Sequence, residues 1–196
     1  MNKNVNLLAI SYVFGFTAAT ITVFLGAIIG SQITSIKSLS TLPVALSVVG
    51  TAICTILAAK IMSKIGRRLG FIFAALGSSA TALVATFAIY QQNFILFCIS
   101  NLILGMGMAF THQYRFAAAE SVEKEKAPKA ISILMLSGIV AAFLGITSSN
   151  YTKNLVSDHL YVGSYLLLAV FTFMPAIFFI FYKNNEKTKI DFNNKY

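Results

Sequence analysis

The polar side chains that could contact a small ligand are few, and they lie in or beside long apolar stretches. An amide in the middle of an apolar span needs a hydrogen-bond partner or water, so we expect Asn101 to face a bundle interior or a cavity. Hydroxyl and amide groups favour a neutral or weakly polar ligand over a strongly charged one. The predicted substrate cavity consists of Tyr12, Thr17, Thr20, Asn101 and Arg115.

Arg115 has two interpretations. It could be a gate or an anion contact at the mouth of a cavity, paired with Glu120 about one and a half helical turns away. Alternatively, the two residues form a solvated ion pair at the membrane interface beside the fourth apolar stretch. The second interpretation is favoured, because exposed ion pairs contribute little to stability.

The sequence contains no motif that is typical of covalent catalysis or of a metal site. Residues 77–80 do not provide the Gly-x-Ser-Gly turn of an intramembrane serine protease, and His112 and His159 lie near the ends of different apolar stretches. No CxxC, HExxH or GxxxxGK motif is present. Cys54 and Cys98 lie inside apolar stretches, where cysteine usually packs as a small apolar residue. We therefore predict that the protein is not an enzyme and uses neither a metal nor a cofactor.

Acidic side chains are confined to the connectors and the tail. A buried acid in a membrane helix usually marks a proton or cation relay, so the apolar stretches offer no obvious carboxylate for a coupling proton. The acidic residues are Glu120, Glu123, Glu125, Asp158, Glu186 and Asp191.

Six apolar stretches must position the polar side chains. Each is long enough to cross roughly 30 Å of hydrocarbon at about 1.5 Å per residue of helix. Hydrophobic residues make up 57% of the chain and charged residues 11%, with a mean hydropathy of +0.78. A soluble domain of 196 residues could not bury that much apolar surface. We predict an all-α membrane protein, with a six-helix bundle in residues 1–182 and a polar tail in residues 183–196. The predicted spans are residues 7–29, 42–62, 69–90, 94–112, 130–150 and 160–182.

The connectors alternate between rich and poor in lysine and arginine. Of the 15 cations, all except Lys37 and Lys153 lie near the amino terminus, after the second stretch, after the fourth stretch or in the tail. By the positive-inside rule, both termini are cytoplasmic, and we predict a bacterial cytoplasmic membrane. The net charge of +9 then faces anionic headgroups of the lipid bilayer, and nucleic acid is not an expected partner.

Small and weakly polar side chains recur at helical spacing along the first, second, fourth and fifth spans. The fifth span, for example, aligns Ser137, Ala141, Gly145 and Ser149. Such residues let membrane helices approach closely, which explains most of these positions as packing. The third and sixth spans largely lack such a seam, so we expect those two helices to face lipid more than the others.

The connector between the second and third spans resembles the signature GxxxDRxGRR of the major facilitator superfamily. Residues 59–68 read AKIMSKIGRR. They keep the Gly-Arg-Arg ending, with lysine in place of the central arginine, serine in place of the aspartate and Ala59 in place of the first glycine. The glycine permits a tight turn, and the cations hold that turn at the cytoplasmic face. The motif residues are Ser63, Lys64, Gly66, Arg67 and Arg68.

Two further segments resemble motifs of the same family. Residues 101–107 resemble the fourth-helix motif RxxxGxG, with Asn101 where the family often has a buried arginine. In the fifth span, Ala141 to Gly145 followed by Ile146 resembles the small-xxx-Gly-Pro packing motif. In the family, the signature aspartate helps to lock the cytoplasmic side against a second domain, and the fourth-helix arginine takes part in proton coupling in many antiporters. Both residues are replaced here, which weighs against proton antiport.

The resemblance covers essentially the whole chain and implies the N-terminal six-helix half of a transporter that usually has twelve helices. We predict secondary transport of a small solute, with two six-helix units rocking about a cavity lined by the first, second, fourth and fifth helices. The second unit would be another copy of this chain, in a homodimer, or a separately encoded six-helix half. The alternative is a membrane protein that does not transport, either a gene remnant or an assembly module. The sequence does not specify the substrate.

Overall fold

The computed structural model describes residues 3–156 and 159–183. In these ranges it contains seven α-helices and two 3₁₀ turns, Lys37–Leu39 and Lys124–Lys126. The predicted tail lies outside the described residues apart from Lys183. The helices are α1 (Lys3–Ile33), α2 (Leu42–Ile65), α3 (Arg67–Tyr90), α4 (Phe94–His112), α5 (Tyr114–Glu120), α6 (Ala127–Thr152) and α7 (Val162–Ile180).

Six helical segments in the described part of the chain are long and apolar enough to cross a membrane. Five of them correspond to α1, α2, α3, α6 and α7, and α4 continues into α5 with only Gln113 between them. Residues that favour the start of a helix lie at the observed amino-terminal ends of α2 and α4. Pro43 lies in the first turn of α2, and the Asn93 side chain accepts a hydrogen bond from the N–H of Leu96 at the start of α4. The predicted six-helix, all-α membrane fold is confirmed.

The arrangement of the helices places α1 at the centre of the bundle. It contacts α6, α7, α4 and α2, whereas α3 packs between α4 and α7. The short α5 packs on α6 and α1. Two helices depend mainly on one neighbour each, since α2 packs chiefly on α4 and α6 chiefly on α1. These two helices therefore have the most surface free of contacts within the chain.

Burial within the protein corrects the expectation about lipid-facing helices. In the most apolar window of each span, 50% of the residues are buried in the spans formed by α1, α4 and α7, but only 28% in the α2 span and 22% in the α6 span. The expectation that the third and sixth spans are more exposed than the others is wrong, because the third span, at 33%, is also more buried than the second and fifth. In the sixth span, Tyr165, Leu168 and Phe179 of α7 are fully buried in the two apolar cores of the bundle.

Each end of the bundle has its own core, and we call the end at which α2 meets α3 the basic end. There, the rings of Phe71, Tyr114 and Phe179 pack with centroids 4.6 to 5.0 Å apart and join α3, α5 and α7. The other core includes Ile21 of α1 and Leu104 of α4. Edge-to-face aromatic packing of this kind contributes about 0.5–1.5 kcal/mol per pair beyond burial of the ring areas.

The helices α2 and α4 cross at close range. The hydroxyl of Thr51 donates a hydrogen bond to the carbonyl oxygen of Gly105 at 2.9 Å, so the two backbones nearly touch. A Cβ atom built on Gly105 would overlap the carbonyl oxygen of Ser47, and one built on Gly50 would overlap that of Leu102. Only glycine is compatible with this crossing at positions 50 and 105.

Candidate functional site

The candidate site is a cluster of aromatic and basic side chains near the basic end, which we call the Tyr12–Arg115 cluster. Its members are Tyr12 and Phe16 of α1, His112 at the end of α4, and Tyr114 and Arg115 of α5. The Tyr12 and Phe16 rings stack with centroids 5.0 Å apart, and Phe16 meets the His112 ring edge-to-face at 6.0 Å. The Tyr12 and Tyr114 rings are 6.3 Å apart. Three helices therefore contribute to one aromatic surface.

Local structure explains how these residues meet. Tyr12 and Phe16 are four residues apart, so they share one face of α1. The break at Gln113 ends α4 and starts α5, which places His112 and Arg115 on either side of that turn. The Tyr12 ring lies against α6 at Gly138, where an added Cβ would be 3.3 Å from Cε1 of the ring. Because residue 138 is glycine, α6 leaves room for the Tyr12 ring.

The structure corrects the pairing considered for Arg115. Its guanidinium donates to the carbonyl oxygen of His112 at 3.5 Å and lies 4.0 Å from the sulfur of Met135. Glu120 instead binds Arg67, whose Nε donates to Oε2 at 2.8 Å and whose Nη2 donates to Oε1. The Arg115–Glu120 pair is absent from the described residues, because the α2–α3 turn brings a better placed guanidinium to Glu120.

Arg115 is the charged member of the cluster. Its positive charge acts on both Tyr12 and His112. The Nδ1 atom of His112 is buried and has no hydrogen-bond partner among the described residues. Within those residues, no group of three or more His, Cys, Asp or Glu side chains is arranged to hold a metal ion. The cluster is therefore equipped for hydrogen bonding, stacking and attraction of negative charge.

Asn101 lies outside the Tyr12–Arg115 cluster. It is fully buried between α1, α4 and α7, where its side chain and that of Thr22 face the hydroxyl of Tyr165. Its Nδ2 donates to the carbonyl oxygen of Phe97 at 2.8 Å. The amide thus faces the bundle interior, at the place where α1, α4 and α7 meet.

Thr17 and Thr20 lie in the contact between α1 and α6. Thr17 is buried, and its hydroxyl donates to the carbonyl oxygen of Phe14. Thr20 packs on Gly145, where an added Cβ would be 2.9 Å from the threonine Cβ. Ala141, one turn before Gly145, is fully buried. In this structure these four residues pack two helices together.

Two of the loop-motif residues, Gly66 and Arg68, connect α2, α3 and α7 at the basic end. Gly66 has a φ of 86° and a ψ of 156°, a backbone conformation that residues with a side chain rarely adopt. This conformation turns α2 directly into α3. Arg68 donates to the carbonyl oxygens of Phe179 and Ile180 and so caps the carboxyl end of α7. Ser63 is exposed and donates only to Lys60 of its own helix, and Lys64 is exposed.

Sequence reasoning missed three members of the cluster, which are Phe16, His112 and Tyr114. Phe16 carried a usable signal, since it lies one helical turn after Tyr12. His112 has no role in the sequence analysis beyond the rejected protease and metal sites, because it and His159 lie near the ends of different apolar stretches. The sequence could not show that the turn at Gln113 places the imidazole beside Phe16 of α1.

Comparison with known proteins decides the family. The model of the Major Facilitator Superfamily matches residues 7–195. The chain belongs to this superfamily. Its curated relatives in the superfamily include the riboflavin transporter RfnT of Brucella anthropi, which is 32% identical over 180 residues, covering 91% of this chain and 45% of the relative.

Two further superfamily relatives come from Bacillus subtilis, and both are described as uncharacterized MFS-type transporters. YdeG is 30% identical over 143 residues, covering 71% of this chain and 32% of the relative. YddS is 25% identical over 143 residues, covering 73% of this chain and 33% of the relative. The chain thus spans less than half the length of the curated relatives it matches.

Proposed function

We propose that this six-helix unit transports a small solute across a bacterial cytoplasmic membrane together with a second six-helix unit. The observation that carries the proposal is the position of the Tyr12–Arg115 cluster, between α1, α5 and α6. Met135 of α6, which contacts Arg115, is 49% exposed, so the cluster opens toward a side of the bundle without a partner in this chain. Membership of a superfamily of transporters supports transport as its role.

The second unit is proposed to pack against α2 and α6. Both helices carry large apolar side chains that are more than half exposed, and a unit on these faces would enclose the space beside the cluster. The unit is either another copy of this chain or a separately encoded six-helix half. Such side chains include Val48, Ile53 and Ile56 on α2 and Leu136, Ile139 and Phe143 on α6.

Riboflavin is the first substrate to test. RfnT, with 32% identity, is described as a riboflavin transporter. The cluster offers aromatic rings, which suit a planar ligand. We place Tyr12, Phe16, His112 and Arg115 along the solute pathway, and Thr17, Thr20 and Asn101 behind it as supports.

The transport experiment uses the chain in liposomes, once by itself and once as a tandem fusion of two copies. We expect riboflavin uptake, and we expect Phe16→Ala to lower the uptake rate about three- to tenfold, because it removes one stacking interaction of about 0.5–1.5 kcal/mol. Phe73→Ala is the matched control, since that ring is 63% exposed on α3, away from the cluster. Folded protein that takes up no riboflavin in either form would favour the alternative of a membrane protein without transport activity.

The orientation is a separate proposal, with both termini in the cytoplasm because the cations lie at the basic end. Reporter proteins fused after Tyr196 or within residues 122–129 should give cytoplasmic signals. Reporters within residues 31–39 or 153–158 should give external signals. Activity of the reporter at residues 31–39 in the cytoplasm would reverse the proposed orientation.

A further inference from the structure

We propose that Arg115, His112 and Phe16 form a subsite for the anionic group of a planar aromatic ligand. This inference rests on the proposed function, because the subsite would lie on the solute pathway. It differs from the expectation of a neutral ligand, and it comes from the unmatched charge that the structure places in the cluster.

Arg115 differs from the other arginines of the protein. Arg67 is neutralised by Glu120, and Arg68 caps the end of α7. Within residues 3–156 and 159–183, no carboxylate forms an ion pair with Arg115. Its contacts among the described residues, a carbonyl oxygen at 3.5 Å and a thioether sulfur at 4.0 Å, leave most of its five N–H donors available. A guanidinium in this state is suited to bind a carboxylate or phosphate with two parallel hydrogen bonds.

The neighbours of Arg115 suit the rest of such a ligand. Phe16 is partly exposed and lies between the Tyr12 ring on one side and the His112 ring on another, so a flat ring could extend this aromatic series. The Nδ1 atom of His112 is buried beside the Phe16 ring and has no partner among the described residues. An imidazole beside a guanidinium can donate to an anion or accept from a ring N–H.

The anion could belong to a solute or to an anionic lipid headgroup, because Arg115 lies near the end of the membrane-spanning segment α4–α5. The aromatic side chains favour the solute. A headgroup requires only the cation, whereas the partly exposed ring of Phe16, which stacks on the buried ring of Tyr12, provides a surface that fits a planar molecule.

The test compares two probes that differ by one phosphate, riboflavin and flavin mononucleotide. Their affinities for the full chain are measured by fluorescence anisotropy in nanodiscs of phosphatidylcholine, which carries no net charge. We expect flavin mononucleotide to bind at least about tenfold more tightly than riboflavin, since a charge-assisted hydrogen-bonded pair adds this much. Arg115→Gln should abolish the difference and Arg115→Lys should keep part of it.

The control is Lys129→Gln, which removes an exposed cation at the start of α6 that has no contact with the cluster. It should leave the preference for the phosphate unchanged. Equal affinities of the two flavins, absence of binding by folded protein, or a preference that survives Arg115→Gln would overturn the proposal. Loss of flavin mononucleotide binding in nanodiscs containing phosphatidylglycerol would assign the subsite to a lipid headgroup and also overturn it.

Binding and transport can fail independently. If liposomes take up riboflavin but Arg115→Gln has no effect on flavin mononucleotide binding, the proposed function stands and the anionic subsite does not. If the phosphate preference depends on Arg115 but no solute crosses the membrane, the subsite stands and the transport proposal does not.

Discussion

Gly105→Ala should destabilise the protein by about 3 kcal/mol, at the upper end of the range for overpacked sites. The added Cβ would overlap the carbonyl oxygen of Ser47 on α2. A backbone atom cannot move aside by changing rotamer, so the two helices must separate. Separation would also break the hydrogen bond from Thr51 to the Gly105 carbonyl. The measurement is the thermal midpoint of detergent-solubilised protein, followed by size-exclusion chromatography after heating.

Gly77→Ala is the matched control for this prediction. An added Cβ at Gly77 would meet nothing within 4 Å, and the residue lies in the interior of α3. Replacing glycine by alanine in an open helical position should keep or slightly raise the midpoint. Gly50→Ala should resemble Gly105→Ala, because it overlaps the carbonyl oxygen of Leu102 in the same crossing. Equal midpoints for all three variants would contradict the close approach of α2 and α4.

Gly66→Val should sharply lower the yield of folded membrane protein. The φ of 86° with ψ of 156° lies in a region that is essentially restricted to glycine, and a side chain there costs on the order of 1–3 kcal/mol. A β-branched side chain increases this cost. The turn also places Arg67 on Glu120 and Arg68 on the end of α7, so a distorted turn would weaken two further contacts. Yield is measured as the monodisperse fraction of a fluorescent fusion.

Ser63→Val introduces the same residue three positions earlier. Ser63 is exposed and has ordinary helical surroundings, so the yield of folded protein should stay near that of the unchanged chain. A normal yield for Gly66→Val would show that the turn does not require the observed backbone conformation. The connector would then have some other conformation, despite its resemblance to the family signature.

The six spans and the family could be predicted from the sequence, because both depend on local properties. Residues 42–62, for example, form an apolar run longer than the hydrocarbon is thick, and this run lies within α2. Within residues 59–68, the need for an unusual backbone conformation lies at one residue, Gly66. These predictions needed no knowledge of which helices touch.

The membership of the site depended on the tertiary structure. Spacing along the chain suggested Glu120 as the partner of Arg115, but the α2–α3 turn delivers Arg67 to that carboxylate instead. Tyr12, Thr17 and Asn101 were all predicted to line one cavity, as polar residues in apolar spans. Only the packing of α1 against α6 and α7 shows that these residues have different roles. Tyr12 belongs to the Tyr12–Arg115 cluster, whereas Thr17 and Asn101 are buried in contacts between helices.

The sequence by itself therefore determined which segments cross the membrane, where the cations lie and which family the chain resembles. Tertiary structure alone decided that α7 is well buried, that His112 joins the rings of α1, and that Arg115 has no acidic partner among the described residues. The physical reason is the range of the interactions. Hydropathy and backbone conformation act within a segment, whereas burial, ring stacking and ion pairing depend on which helix faces meet.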